Sequence, residues 1–236
     1  MLLYTIMAGL FTWGLTALGA SLVFFFKRLS GRVTSLMLGM ASGMMIAAGF
    51  WSLLAPAIEL TEGRILPAAA GFAAGGAFLL IIERFAGRKG FLLTFSITLH
   101  NIPEGLAVGV ALGGVAAGGG DLAGAAALAL GIGIQNIPEG AAVAIPLRAS
   151  GMSRAKSFFW GQLSGLAEPV AAIAGMLLVT LVGAILPYAL SFAAGAMFFV
   201  VVAELIPEAH KNECANLCPV GALGGFLIMM ILDLAF

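Results

Sequence analysis

Long apolar stretches alternate with short polar segments along the whole chain. Each stretch is close to the roughly 20 residues that a helix needs to cross the hydrocarbon core of a bilayer. The pattern predicts eight transmembrane helices, here called spans one to eight, at residues 4–26, 33–57, 66–83, 91–113, 122–147, 156–181, 185–207 and 219–235. A Gly-rich loop, residues 113–120, joins spans four and five. The predicted fold is therefore all-α and polytopic, a single transmembrane domain over residues 1–236.

The composition supports a membrane-embedded chain. The sequence is 61% hydrophobic and 9% charged, whereas soluble proteins carry about 25% charged residues. The net charge is zero, so no basic surface indicates nucleic acid as a partner, and the lipid bilayer is the predicted environment. The two cysteines, Cys214 and Cys218, are too few for a disulfide framework.

The distribution of cations predicts the orientation. Ten of the eleven Lys and Arg residues fall in loops on one side of the predicted bundle, and Arg64 alone falls on the other. By the positive-inside rule the first side is cytoplasmic, so both termini face outward. Span four then runs outward and span five runs inward. We expect a multi-pass protein of the cell membrane.

Two near-copies of one hexapeptide lie inside these two spans. They read His-Asn-Ile-Pro-Glu-Gly at 100–105 and Gln-Asn-Ile-Pro-Glu-Gly at 135–140. A charge near the bilayer centre costs about 3 kcal/mol or more, so an ionisable residue there indicates function. Because the two spans are antiparallel, the copies fit an inverted repeat with one composite site near the midplane. The alternative, a buried and protonated Glu that only packs, suits one copy better than two.

The side chains of these motifs suit a divalent cation. On a helix, His100 and Glu104 share a face, and Asn101 lies one turn from Glu104. Span five repeats this pattern, and span six adds a carboxylate followed by Pro169; the further residues are Gln135, Asn136, Glu139 and Glu168. One imidazole, three carboxylates and several amides leave zinc, iron(II), manganese, cobalt and cadmium all open.

Taken together, the motifs of spans four, five and six and the Glu-Leu-Ile-Pro-Glu of span seven resemble the ZIP (Zrt/Irt-like protein) family of divalent metal transporters. The resemblance covers essentially the whole chain. It implies import of zinc or a related cation to the cytosol, with the metal as transported substrate and no catalytic cofactor. The main metal site that it implies comprises His100, Glu104, Gln135, Glu139 and Glu168.

The resemblance also implies an adjacent second metal site, in which Asn101 and Asn136 share the three carboxylates. Many relatives carry Asp where this chain has Asn136, so we expect the second metal to be weakly held or absent. An elevator-like motion, with spans one, four, five and six moving past the other four, and a homodimer are further implications of the resemblance.

Span seven offers a weaker signal near its predicted cytoplasmic end. Glu204 and Glu208 flank Pro207 and, with His210, form a candidate exit path. Some relatives carry His where this chain has Ala203. His210, Cys214 and Cys218 are spaced by four, so a helical loop would align them as a metal-handing site; ordinary solvated loop residues are the alternative.

Two other functions compete with a carrier. Zinc held by His and Glu can activate water, which would make an intramembrane zinc-dependent hydrolase. However, the sequence has no His-Glu-x-x-His motif and only one His in the candidate site, whereas catalytic zinc normally has three firm protein ligands. Channel-like metal flux is the other alternative, but several buried carboxylates should hold a divalent ion too tightly for fast conduction. We therefore predict an alternating-access carrier and no enzymatic activity.

Overall fold

The computed structural model describes residues 1–27, 29–62, 64–86, 92–149, 151–181, 183–211 and 214–235. Of residues 85–86, 92–100, 146, 149 and 183 it describes only the backbone. The α-helices in these residues are α1 Leu2–Ser21, α2 Gly31–Ala48, α3 Ala55–Glu59, α4 Ile65–Ala86, α5 Leu92–Ala116, α6 Leu122–Ala149, α7 Arg154–Gly165, α8 Ala167–Leu181, α9 Leu186–Val200, α10 Ile206–His210 and α11 Leu217–Ala235.

The all-α polytopic fold is confirmed. Seven helical stretches of the described chain are long and apolar enough to cross a membrane: Leu2–Phe24, Gly31–Glu59, Ile65–Arg84, Leu122–Ile145, Arg154–Leu181, Leu186–His210 and Leu217–Ala235. They correspond to every predicted span except span four. In place of span four lies α5, a helix of 25 residues whose segment Asn101–Ala116 is also apolar.

One predicted boundary is wrong. The Gly-rich loop was expected at 113–120, but α5 continues to Ala116. Gly113 permits this extension, because a Cβ there would lie 2.9 Å from the Cβ of Val179. Without that Cβ, the last turn of α5 can stay helical against α8, and the loop shortens to residues 117–121.

Prolines shape three of the spans. Span six is divided into α7, which ends at Gly165, and α8, which begins at Ala167. Pro169 explains the break, since proline offers no N–H to the carbonyl four residues earlier and its ring crowds that carbonyl. In spans two and seven, π-helical turns at Gly49–Leu54 and Val201–Leu205 precede Pro56 and Pro207. Such turns are frequent at functional sites.

The helices pack in four main pairs. Span one (α1) packs along span five (α6), and span four (α5) along span six (α8). Span two (α2) packs along span eight (α11), and span three (α4) along span seven (α9). Suppose that span one corresponds to span six, span two to span seven, span three to span eight, and span four to span five. The pair of spans one and five then maps onto the pair of spans six and four, and the pair of spans two and eight maps onto the pair of spans seven and three. The pairing is therefore what an inverted repeat produces.

Two groups of spans follow from this pairing. Spans one, four, five and six make further contacts with one another, and we call them the site bundle. Spans two, three, seven and eight form the scaffold bundle. The two bundles meet where α2 contacts α6 and where α5 contacts α9.

Glycines allow the backbones to approach within each bundle. In the scaffold bundle, a Cβ on Gly225 would overlap the carbonyl oxygen of Met40, and a Cβ on Gly43 would overlap that of Ala222. In the site bundle, Gly140 has the same relation to Thr16. Small residues at such crossings are how membrane helices pack without a hydrophobic driving force between them.

Adjacent glycines on α11 provide a matched test of this packing. Gly225→Ala is expected to force α11 away from α2 and to destabilise the fold by about 1–3 kcal/mol, the usual cost of overpacking. Gly224→Ala is the control, because a Cβ there meets nothing within 4 Å. Thermal unfolding in detergent measures both variants. Equal melting temperatures would contradict the close approach of the two helices.

Candidate metal centre

Predicted site residues of spans four, five and six come together in the middle of the site bundle. Glu104, Gln135, Asn136 and Glu168 are fully buried, and Glu139 keeps only 6% of its surface exposed. Glu104 lies on α5, and Glu168 lies in the first turn of α8. Gln135, Asn136 and Glu139 lie on α6. A chain rarely buries three carboxylates in one region without a compensating partner.

Hydrogen bonds join the second motif to the carboxylates of the neighbouring helices. The Gln135 amide donates to Oε1 of Glu104 at 2.8 Å. The Asn136 amide donates to Oε2 of Glu168 at 2.8 Å, with the Thr12 carbonyl oxygen farther away at 3.4 Å. The two amides of α6 therefore fix the carboxylates of α5 and α8.

Four buried oxygen atoms of this cluster have no hydrogen-bond partner among the side chains that the structure describes. They are Oε2 of Glu104, Oε1 of Gln135, Oδ1 of Asn136 and Oε1 of Glu139. Glu104, Glu139 and Glu168 also lie within electrostatic range of one another. An unpartnered buried acceptor costs about 1–3 kcal/mol, and a cation is the partner that suits four of them. Carboxylate and amide oxygens are ligands for divalent metals.

The described side chains do not form a complete metal site by themselves. Among them, no three His, Cys, Asp and Glu residues are grouped closely enough to hold a metal. His100 lies on α5 one turn before Glu104, and its side chain is outside the described part of the structure. Asn101 is buried, with 2% of its surface exposed. The assignment of the seven predicted site residues as metal ligands stays a prediction. They are His100, Asn101, Glu104, Gln135, Asn136, Glu139 and Glu168.

The sequence motifs missed the contribution of span one. Thr16 donates its hydroxyl proton to Oε1 of Glu168 at 2.9 Å, and the Trp13 indole N–H donates to the Gln162 carbonyl at 2.9 Å. Thr5, Thr12 and Thr16 are all buried on α1. Hydroxyls on the buried positions of an otherwise apolar span are the signal that could have indicated this contact.

The candidate exit residues of span seven separate into two environments. Glu204 lies within electrostatic range of Glu139. Glu208 is exposed and forms an ion pair with Lys211. His210 is also exposed, and its Nδ1 lies 2.8 Å from the Ile206 carbonyl oxygen. Only Glu204 is therefore close to the central cluster.

Of the two interpretations of His210, Cys214 and Cys218, the described structure gives no support to the metal-handing one. These three residues are not grouped closely enough to hold a metal ion. The reason is that α10 ends at His210 and α11 begins only at Leu217, so no single helix aligns them. Cys218 is buried in α11, and its backbone packs against Gly39 of α2.

A cavity of about 320 Å³ opens where α5 ends and α6 begins. Two carboxylates, Asp121 and Asp233, line it. Ser52 donates to Oδ1 of Asp233, and Oδ2 of Asp233 is buried without a partner among the described residues. Leu128, which also lines the cavity, lies two turns before Gln135 on α6. The cavity therefore lies at the α5–α6 end of the bundle, and none of the central cluster residues lines it.

The fold and the central cluster define a polytopic membrane protein with a buried, anionic site for a cation. Residues 85–233 match the family model described as ZIP Zinc transporter. The chain belongs to the ZIP family, which confirms the resemblance seen in its motifs and favours divalent metal import over the hydrolase and channel alternatives.

Three proteins named as zinc transporters are similar to nearly the whole chain. The chain is 35% identical to "Zinc transporter ZIP11" of Xenopus tropicalis, over 98% of this chain and 96% of that protein. It is 37% identical to "Zinc transporter GufA" of Myxococcus xanthus, over 98% of both chains. It is 36% identical to "Zinc transporter ZIPB" of Bordetella bronchiseptica, over 98% of this chain and 81% of that protein.

Proposed function

We propose that this chain imports zinc across the cell membrane to the cytosol, and that the central cluster is its transport site. The observation that carries the proposal is the set of four buried, unpartnered oxygens on two inverted copies of one motif. The names of the relatives support zinc as the substrate. The ligand chemistry alone also suits iron(II), manganese, cobalt and cadmium.

In the proposed site, Glu104 and Glu139 bind the metal through their unpartnered oxygens. Gln135 contributes its carbonyl oxygen, because its amide nitrogen already donates to Glu104. His100 and Glu168 complete the main site. Asn101 and Asn136 border the second, weaker position, where Asn136 offers only a neutral oxygen. All of these ligands are hard or intermediate donors, and zinc accepts both nitrogen and carboxylate oxygen.

The proposed pathway runs through the bundle from the anionic cavity. A cation attracted by Asp121 and Asp233 reaches the central cluster along α6 and leaves toward Glu204. Alternating access follows if the site bundle moves past the scaffold bundle, as the internal packing of each group supports. A homodimer, which the family resemblance implies, would add a fixed scaffold for that motion. The relatives are named as transporters, so we assign no enzymatic activity.

Purified protein in liposomes loaded with a zinc-sensitive dye tests this function. A carrier gives saturable uptake at a modest rate, since each cycle requires a conformational change on the μs–ms scale or slower. Fast, voltage-driven and non-saturating flux would indicate a channel. No uptake together with hydrolysis of a lipid or peptide would indicate the hydrolase.

Glu204 gives a further prediction about release. Glu204→Gln removes the charge that lies within electrostatic range of Glu139, while the amide keeps the size of the side chain. We expect a lower maximal rate with little change in zinc affinity, because the carboxylate acts after the metal has been bound. Glu208→Gln is the control, since Glu208 is exposed and paired with Lys211. Uptake kinetics in liposomes separate the two effects, and an unchanged maximal rate in Glu204→Gln would exclude Glu204 from the path.

A further inference from the structure

Thr16 contacts the proposed site although it belongs to none of the motifs that predicted that site. Its hydroxyl donates to Oε1 of Glu168 at 2.9 Å. The Thr12 carbonyl oxygen, one turn back on the same helix, lies farther away at 3.3 Å. A hydroxyl has one proton to donate, and bonds to a carboxylate are roughly twice as strong as bonds between neutral groups. Glu168 is therefore the preferred acceptor.

Close packing fixes the position of this hydroxyl. A Cβ on Gly165 would lie 2.9 Å from the Thr16 side chain, and a Cβ on Gly140 would overlap the Thr16 carbonyl oxygen. Thr16 itself is 1% exposed. Because threonine is branched at Cβ and therefore stiff, the surrounding helices leave it little freedom to turn. Span one thus presents a rigid donor to Glu168.

Glu168 differs from the other two carboxylates of the cluster. Thr16 donates to its Oε1 and Asn136 to its Oε2, whereas Glu104 and Glu139 each have an unpartnered oxygen. The Thr12 side chain also lies within hydrogen-bonding range of Glu168. A carboxylate offers about four lone-pair positions, so at least one remains for a metal while these hydrogen bonds persist. Glu168 is therefore oriented before a cation arrives.

We propose that Thr16 is a positioning residue that holds Glu168 in the orientation required for metal binding. This role rests on the proposed function of Glu168 as a ligand. Groups that donate hydrogen bonds to a metal ligand commonly contribute about 10–100-fold in metal affinity or activity. Thr16 is such a hydrogen-bond donor: it acts through Glu168 and does not itself contact the metal.

Zinc uptake kinetics of Thr16→Val and Thr16→Ser test the proposal. Val keeps the shape of Thr without the hydroxyl, and Ser keeps the hydroxyl. We expect Thr16→Val to raise KM for zinc about tenfold, with a maximal rate per folded protein within about twofold, and Thr16→Ser to restore the KM. Thr5→Val is the control, since Thr5 is equally buried on α1 and donates to the Met1 carbonyl at 3.3 Å. An unchanged KM in Thr16→Val, or a loss of maximal rate alone, would overturn the proposal.

A binding measurement then separates this role from the proposed function. Equilibrium zinc binding is measured with and without Thr16→Val, in the unmodified chain and in Glu168→Ala, which removes both the ligand and the acceptor of the Thr16 hydroxyl. We expect about a tenfold loss in the unmodified chain and less than about twofold in Glu168→Ala, because residues that act through one another are not additive. Equal losses in both backgrounds would overturn the role of Thr16. If Glu168→Ala alone binds zinc like the unmodified chain, Glu168 is not a ligand and the proposed site fails instead. Should Thr16→Val not fold, Thr16→Ala against Thr16→Ser gives the same comparison.

Discussion

Zinc uptake is expected to fall to background when Glu104 or Glu139 is replaced by Ala. Both carboxylates are buried, both keep an unpartnered oxygen, and they lie within electrostatic range of each other. Loss of a group that only hydrogen-bonds to a metal ligand lowers metal affinity or activity about 10–100-fold. Loss of the ligand itself should therefore lower zinc uptake at least as much. Each variant removes one negative charge from a site that must attract a divalent cation.

The matched control is Glu83→Ala, which removes an exposed carboxylate from α4. Gln substitutions at positions 104 and 139 add a second comparison, because they keep side-chain volume and remove only the charge. Uptake is measured in dye-loaded liposomes at equal amounts of folded protein. Wild-type rates in both Ala variants would show that the transport site lies elsewhere in the chain.

Asn136→Asp is expected to increase the number of zinc ions that the chain binds. Two divalent ions about 4 Å apart repel each other by roughly 17 kcal/mol at an effective dielectric constant near 20. Bridging carboxylates must offset this repulsion, and the neutral Asn136 provides less of the offset than Asp would. We therefore expect about one tightly bound zinc per chain, and about two in the variant, by this Coulomb argument.

The structure adds a second consequence of the same change. The Asn136 amide donates to Oε2 of Glu168, and Asp cannot donate that hydrogen bond when ionised. Without metal, Asp at this position faces Glu168 as a like charge, so the variant should be less stable than the unmodified chain. Zinc should then raise its melting temperature more strongly, since a ligand that binds only the folded state stabilises it.

Elemental analysis of metal content at matched free zinc measures the stoichiometry, and thermal unfolding with and without zinc measures the stabilisation. Tighter binding should also slow release and lower the transport rate. Asn101→Asp is the comparison on α5, where the first motif carries the equivalent amide. Two tightly bound zinc ions in the unmodified chain would show that an amide oxygen is an adequate ligand and that the charge argument fails.

The sequence predicted the spans well because membrane insertion leaves little choice. Backbone groups in lipid must be satisfied within the helix, so an apolar stretch of sufficient length is a helix. The paired hexapeptides likewise predicted that Glu104, Gln135, Asn136 and Glu139 would lie together. The reason is that ionisable residues such as Glu104 and Glu139 are rare at this depth in a membrane and usually have a function.

Details that depend on contacts between distant spans could not be predicted. The C-terminal turn of α5 forms because Gly113 packs against Val179, which the local glycine content of the loop does not reveal. The contact of Thr16 with Glu168 joins residues 152 positions apart, and a threonine in an apolar span more often bonds to its own helix. The spacing of His210, Cys214 and Cys218 gives a shared face only in a helical loop, and the sequence did not reveal that α10 ends at His210.

Anomalous diffraction at the zinc edge, from the purified protein bound to zinc, tests the central claim most directly. The account predicts a peak between α5 and α6, at about 2.0–2.2 Å from carboxylate oxygens of Glu104 and Glu139, with the Gln135 carbonyl oxygen and Glu168 beside it. A zinc ion held only elsewhere, for example near His210 and Cys214 or in the cavity of Asp121 and Asp233, with no peak at the central cluster, would contradict it.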